Sequence, residues 1–242
     1  MAVALVQAVT VVQVDASSAT SFNISVPSAG SGNALTFVSG FWDNNTTWTI
    51  SGTDDSGNSW TTIPAYCTVG ASKAASAVAY ATGITGGTRT VTVSLSGTAS
   101  GPKRYLTYGC LEFSGVKSST AEDVQAVSDD FDITSNDVNA GPVTTTDAGD
   151  VFIGAVSSRA NDTNMAYGSP ASWTNSYREN DNTNHASVDA GYWIPGGIQT
   201  TYTAQWSHSN FASECCAAMV ALLPAAAVSA SRQSLMLMGI GR

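Results

Sequence analysis

Apolar residues in this chain fall into short runs, many with a period of two, separated by clusters of Gly, Asn, Asp and Ser. This is the pattern of half-buried β-strands joined by turns. Residues 3–14 alternate in β-branched side chains, and Phe22, Ile24 and Val26 alternate before Pro27 and a Gly30-Ser31-Gly32 turn, so two opening strands are expected. Val91, Val93 and Leu95 oppose Thr90, Thr92 and Ser94, which predicts an antiparallel strand with Tyr105–Phe113 as its partner. Thr47 to Ser51, followed by Thr53 to Trp60, predicts a hairpin whose tip uses Asp, Gly and Asn for their tolerance of positive φ. Ala71 to Ala81 is Ala-rich, but flanking Gly70 and Gly83 favour a strand or irregular crossover over a short helix. Residues 116–140 are acidic and polar around Val124 and Phe131, as an edge strand with connecting loops would be.

The pattern occurs twice. An apolar run at Leu35–Phe41, a turn-rich stretch ending in Trp60, a Gly86-Gly87 break and a closing strand at Leu106–Gly115 are followed by Val151–Val156, Trp173, Gly196-Gly197 and Ala217–Leu223. Two similar blocks of strands predict an all-β fold, one antiparallel β-sandwich over residues 34–224 with pseudo-repeats 34–115 and 149–224. Residues 1–33 form N-terminal strands or an arm, and 225–242 a linker and apolar tail. A length of 242 residues fits one such domain.

Hydrophobic residues make up 43% and charged residues 11%, enough apolar material for a sizeable core and too much for disorder. With a net charge of −9 and only nine Lys and Arg, none clustered, the chain lacks the cations that phosphate backbones require, and nucleic acid is not an expected partner. The first residues, Met1-Ala2-Val3-Ala4-Leu5-Val6-Gln7, carry no basic segment or long apolar core, so cytoplasmic synthesis without a signal peptide is expected. No apolar run reaches the ~18 residues of a membrane span.

The chemistry-bearing residues are few. His185 and His208 lie in no catalytic motif, and nucleophile-elbow, phosphate-loop and zinc-protease signatures are absent, so a non-enzymatic protein without a cofactor is expected. Glu112, Glu122, Glu179 and Glu214 leave a paired-carboxylate glycosidase formally open, because such pairs have no sequence spacing. Asp54, Asp55 and Asn58 offer hard oxygen ligands within five residues, but the same residues suit a turn, and no metal site is expected. Asn180–Asn184 reads as a solvated loop in the same way. Cys67, Cys110, Cys215 and Cys216 lack metal-binding spacing; they read as buried thiols, with a disulfide between Cys110 and one of Cys215 and Cys216 as the alternative. Adjacent strand residues point to opposite faces, so only one of Cys215 and Cys216 is expected to face the core. Trp42, Trp48, Tyr192 and Trp193 are the rings that a glycan-binding face would use, against an alternative in which they fill the core, as Trp60, Trp173 and Trp206 are expected to. Leu235, Met236, Leu237, Met238 and Ile240 form an apolar run suited to binding a partner, by strand addition if it pairs with another chain.

Leu106–Val116 and Ala217–Pro224, with Asp55–Trp60 and Asp150–Gly154 between them, resemble a jelly-roll-like β-sandwich domain of bacteriophage virion and bacterial surface proteins. The resemblance covers roughly residues 34–224. It implies a structural or adhesive module: a head-decoration, head-fibre or tail-associated virion protein that docks through a terminal arm onto other virion proteins such as the capsid shell. A homo-oligomer is expected, a trimer by analogy. The competing expectation is a carbohydrate-binding or receptor-binding module on the same sandwich.

Overall fold

The computed structural model describes residues 1–15, 21–43, 49–67, 73–96, 104–128, 137–158, 166–169, 173–181, 186–207 and 215–226. Every regular element among them is a β-strand, as the alternating pattern predicts. The first eight are β1 (Ala4–Asp15), β2 (Ser21–Ala29), β3 (Ala34–Asp43), β4 (Thr49–Asp54), β5 (Thr61–Tyr66), β6 (Lys73–Ala81), β7 (Gly87–Ser96) and β8 (Arg104–Ser114). The next eight are β9 (Glu122–Ser128), β10 (Asp137–Val143), β11 (Val151–Ser158), β12 (Ala166–Ser169), β13 (Thr174–Asp181), β14 (Ala186–Trp193), β15 (Tyr202–Ser207) and β16 (Cys215–Leu222).

They form four antiparallel sheets. The first eight strands supply a five-stranded sheet, β1-β8-β3-β6-β5, and a three-stranded sheet, β2-β7-β4. The last eight supply β9-β16-β11-β14-β13 and β10-β15-β12, the same two orders with eight added to every index.

The sheets stack in four layers, with the two five-stranded sheets face to face in the middle. One buried cluster joins Phe22, Ile24, Val91 and Val93 of the first small sheet to Leu35, Phe37 and Val38, and continues into Val151, Ile153, Val220 and Leu222 of the second large sheet. A second cluster lies on the far side of that sheet, where Phe152, Val156, Ala217 and Met219 meet Val138, Ala204 and Trp206. Both faces of each large sheet are therefore covered, which is why β11 and β16 are buried at every position and read as continuous apolar runs rather than alternating ones. Small residues permit the close approach: a Cβ on Gly40 of β3 would stand 2.8 Å from Val188 Cγ2 and 3.0 Å from Ser157 Cβ in the opposing sheet.

Three local expectations are corrected. β7 pairs with β2 and β4, whereas Tyr105–Phe113 lies in β8 and pairs with β1 and β3, so these successive strands belong to different sheets. β4 and β5 likewise do not form a hairpin; β4 pairs with β7 and β5 with β6, and the turn between them carries the chain from one layer to the next. Residues 4–15 are no arm, because β1 pairs with β8 from Ala4↔Ser114 to Asp15↔Tyr105. Ala71–Ala81 resolves as strand from Lys73, and β9 is an edge strand as expected.

The register brings Met1 and residues 223–225 to one pole. Val116 bridges Pro224, Lys117 N–H donates to Leu223 C=O at 3.0 Å, Ala225 N–H donates to Gly115 C=O at 2.7 Å, and the Met1 amine donates to Ala225 C=O at 3.0 Å. The strand order fixes which ends meet here: β3 starts beside Phe113 near the end of β8, and β11 starts beside Leu222 at the end of β16.

Candidate functional site

The turn predicted to organise around Asp54 does so, and the geometry explains why those oxygens are not free for a cation. Asp54 Oδ1 accepts the backbone N–H groups of Ser56 at 3.0 Å and Asn58 at 3.1 Å. Its Oδ2 accepts Asn58 Nδ2–H at 2.7 Å and Trp60 Nε1–H at 3.3 Å, and lies 3.7 Å from Arg89 Nη1, both side chains being fully buried. Burial pushes the carboxyl pKa up, but the bonds from Asn58, Trp60 and Ser56 together outweigh it and leave the group below its ordinary value. Asp55 Oδ2 accepts Thr90 N–H at 3.0 Å, tying the turn to β7. Among the described residues, no group of three or more His, Cys, Asp or Glu is arranged to hold a metal.

All four cysteines are buried thiols outside any disulfide, and the Cys110 bridge is not formed. Both members of the Cys215-Cys216 pair are buried, but in different cores: Cys216 faces the large central cluster and Cys215 the second one. The expected alternation holds, and what the sequence did not reveal is that β16 has a core on each side. Cys67, rather than Cys110, is the thiol that acts on Cys216, and burial, followed by Cys67 and Cys215, pushes the Cys216 thiol well above its ordinary pKa. Burial, with Glu112 beside it, raises Cys110 as well.

The aromatic residues divide likewise. Tyr192 is half-buried against the central core with its ring edge-on to Phe113 at 5.3 Å. Trp193 is half-buried, stacked on Phe152 at 5.5 Å and tilted against Tyr202 at 5.0 Å. Neither ring stands clear as a stacking platform. Trp206 is fully buried, Trp173 nearly so, its Nε1–H donating to Tyr202 Oη at 2.6 Å, and Trp60 packs on Phe37 at 5.6 Å. Trp48, His185, His208, Glu214 and the run Leu235, Met236, Leu237, Met238 and Ile240 lie outside the described residues, as do the side chains of Trp42, Glu179 and Asn180.

The carboxylates open to a glycosidase reading are already engaged where described. Glu112, buried in β8, accepts Gly30 N–H at 2.7 Å and Asn33 Nδ2–H at 2.6 Å on one oxygen and Gln7 Nε2–H on the other, pinning the β2–β3 turn to β1 and β8. Glu122 accepts the Tyr80 hydroxyl at 2.7 Å, across the two eight-strand units.

A concavity that pattern reading missed lies at the pole where Met1 meets Ala225. A groove of about 580 Å³ runs between Met1-Ala2, Lys117, Asp147-Ala148 and Leu223–Ala226, and a neighbouring one of about 370 Å³ continues it to Ile194–Gly196. The walls of the two together come from five segments far apart in sequence, so no local spacing announces them. The 144–149 segment forming one wall is held by Thr145 N–H to Gln199 C=O and Gln199 N–H to Thr145 Oγ1, both at 2.9 Å. Comparison with protein-family models, with curated proteins and with solved structures gives no match.

Proposed function

We propose that this chain is a non-enzymatic structural protein of a virus particle: a phage head-decoration, head-fibre or tail-associated surface protein that docks through its apolar 235–240 run. The observation that carries the reading is the pole just described. Residues 223–226, from which the sequence continues toward that run, sit in the wall of the groove beside Met1, so the last described residues before an apolar run line a concavity open to a partner. The strand orders support it further. We read 1-8-3-6 in one sheet and 2-7-4 in the other as a jelly roll whose fifth strand has joined the larger sheet, an architecture common in viral capsid and lectin domains. The fold alone does not carry function. Glycan binding remains the competing role of such a sandwich, but the described rings offered for it are packed against the cores.

Light scattering coupled to size exclusion tests the docking reading on the full chain and on a chain ending at Ala226. A discrete oligomer, a trimer by analogy, that becomes monomeric on truncation supports it. Antibodies against the protein should label purified particles from the virus or cell that encodes it. A full-length monomer that labels no particle and binds a glycan array sinks the proposal in favour of carbohydrate binding.

A further inference from the structure

Asp150 is the most anomalous side chain among the described residues. It immediately precedes β11, is fully buried, and neither carboxyl oxygen has a hydrogen-bond donor. A buried ionised carboxylate with no donor is strongly disfavoured. What it has instead is a second carboxyl: Asp123 of β9 lies within hydrogen-bonding reach, and Asp147, exposed in the same loop, adds its charge. Asp123 is itself engaged by Thr146, which donates to both of its oxygens, backbone N–H to Oδ2 and Oγ1–H to Oδ1, each at 2.6 Å, whereas Asp150 receives no donor.

We propose that Asp150 and Asp123 share one proton, carried by Asp150 and donated to Asp123, and that this proton latches the 144–150 loop onto edge strand β9. Two carboxyls in contact cannot both ionise cheaply, and the one without donors retains the proton. Burial, then the contact with Asp123 and the charges of Asp123 and Asp147, push the Asp150 carboxyl up to about 7. Lys117 and the Met1 amine line the groove beside Asp147 and are the cations that face this loop across it. The latch closes on a meaningful place: Asp147 and Ala148 form one wall of the groove beside Met1, so losing the proton adds a negative charge next to Asp123 and Asp147 at that wall. The inference is independent of the virion reading.

The sign follows from linkage. A carboxyl whose folded pKa is raised favours folding fully below its unfolded value near 4, and that contribution is lost as pH rises toward and through about 7. Thermal unfolding of the full chain and of Asp150→Asn between about pH 5 and pH 8.5 tests it. Asn keeps a donor to Asp123 at every pH, so the advantage of the variant over the native protein should widen by on the order of 5–10 °C between about pH 5 and about pH 8.5, nearly all of it below about pH 7. His185 and His208 are present in both proteins, so whatever they contribute cancels in the difference. Should the variant fold poorly, the carboxyl carbon resonance of Asp150 in the native protein serves instead, with a midpoint near 7 expected. A midpoint in the ordinary aspartate range, or identical pH profiles for the two proteins, overturns the proposal. So does stoichiometric calcium binding at about pH 8.5 that restores the lost stability and vanishes in Asp150→Asn, since the pair would then be a cation site.

Discussion

At the residue scale, Asp54 shows why a sequence cluster of oxygens can be a fastening rather than a ligand set. Its carboxylate closes the turn from β4 to β5 and meets Arg89, itself 1% exposed and donating to Thr85 C=O. Removing one partner strands the other as a buried charge, so Asp54→Ala should cost about 3–5 kcal/mol, measured by urea unfolding, and Asp54→Asn less, because the amide oxygen still accepts. With its folded pKa depressed, Asp54 contributes stability above the unfolded value near 4 and loses it as pH falls through the folded value, the opposite sense to Asp150. The wild type should therefore lose more stability on acidification below about pH 4 than Asp54→Asn does. The thiols make an equally direct prediction. Buried and with Cys110 and Cys216 raised in pKa, none of the four cysteines should react with a thiol reagent in the native protein, and all four should react once it is denatured without reductant. A native thiol titration below four after denaturation would restore the disulfide that the structure lacks.

Among the elements, β16 and β9 are neighbours with opposite character. Leu222 of β16 is fully buried in the central cluster, whereas Val127 of β9 is 53% exposed on the sheet edge. Leu222→Ala should cost about 2–5 kcal/mol and Val127→Ala under about 0.5 kcal/mol, read from denaturant midpoints at constant slope. This contrast was legible in the sequence, since an unbroken apolar run from Ala217 and a sparse acidic one around Val124 already mark a buried and an edge strand. Some landmarks of the expected blocks fall at matching places: Leu35 is the second residue of β3 and Val151 the first of β11, while Trp60 and Trp173 immediately precede β5 and β13. What could not be read was partner choice. Val91, Val93 and Leu95 alternate as a strand facing one core must, but the period is the same whether the next strand lies beside β7 or in the layer below. Turn chemistry misled in the same way, because Asp, Gly and Asn at 54–58 satisfy the turn equally well when it bridges two sheets. Asp150 was invisible for a different reason, as its meaning depends on Asp123 and Thr146 reaching it from elsewhere in the fold.

For the whole molecule, the question is whether two units with the same strand order behave as two bodies or one. The central cluster does not stop at the boundary between them: Ile63, Ala65, Cys67 and Val78 share it with Ile153, Cys216, Ala218 and Val220. β3 and β11 pack on each other, as do β6 and β11, β6 and β16, and β3 and β14. A unit pulled away would expose one face of its own five-stranded sheet, so neither has a complete surface alone. Calorimetry of the full chain should show a single transition, with van't Hoff and calorimetric enthalpies equal. Its heat-capacity increment should be that of all 242 residues, about 3 kcal/mol/K at roughly 12–15 cal/mol/K per residue. Two transitions each carrying about half of that would mean that the shared core does not couple the units. Gly40 supplies the matching perturbation. Gly40→Leu drives a side chain into Val188 and Ser157 across the boundary and should destabilise by about 1–3 kcal/mol, lowering that one transition as a whole. Gly196→Ala, at a position with open space around it, should leave it in place. If Gly40→Leu instead splits the transition in two, the close approach at this glycine is itself what makes the eight-strand units unfold together.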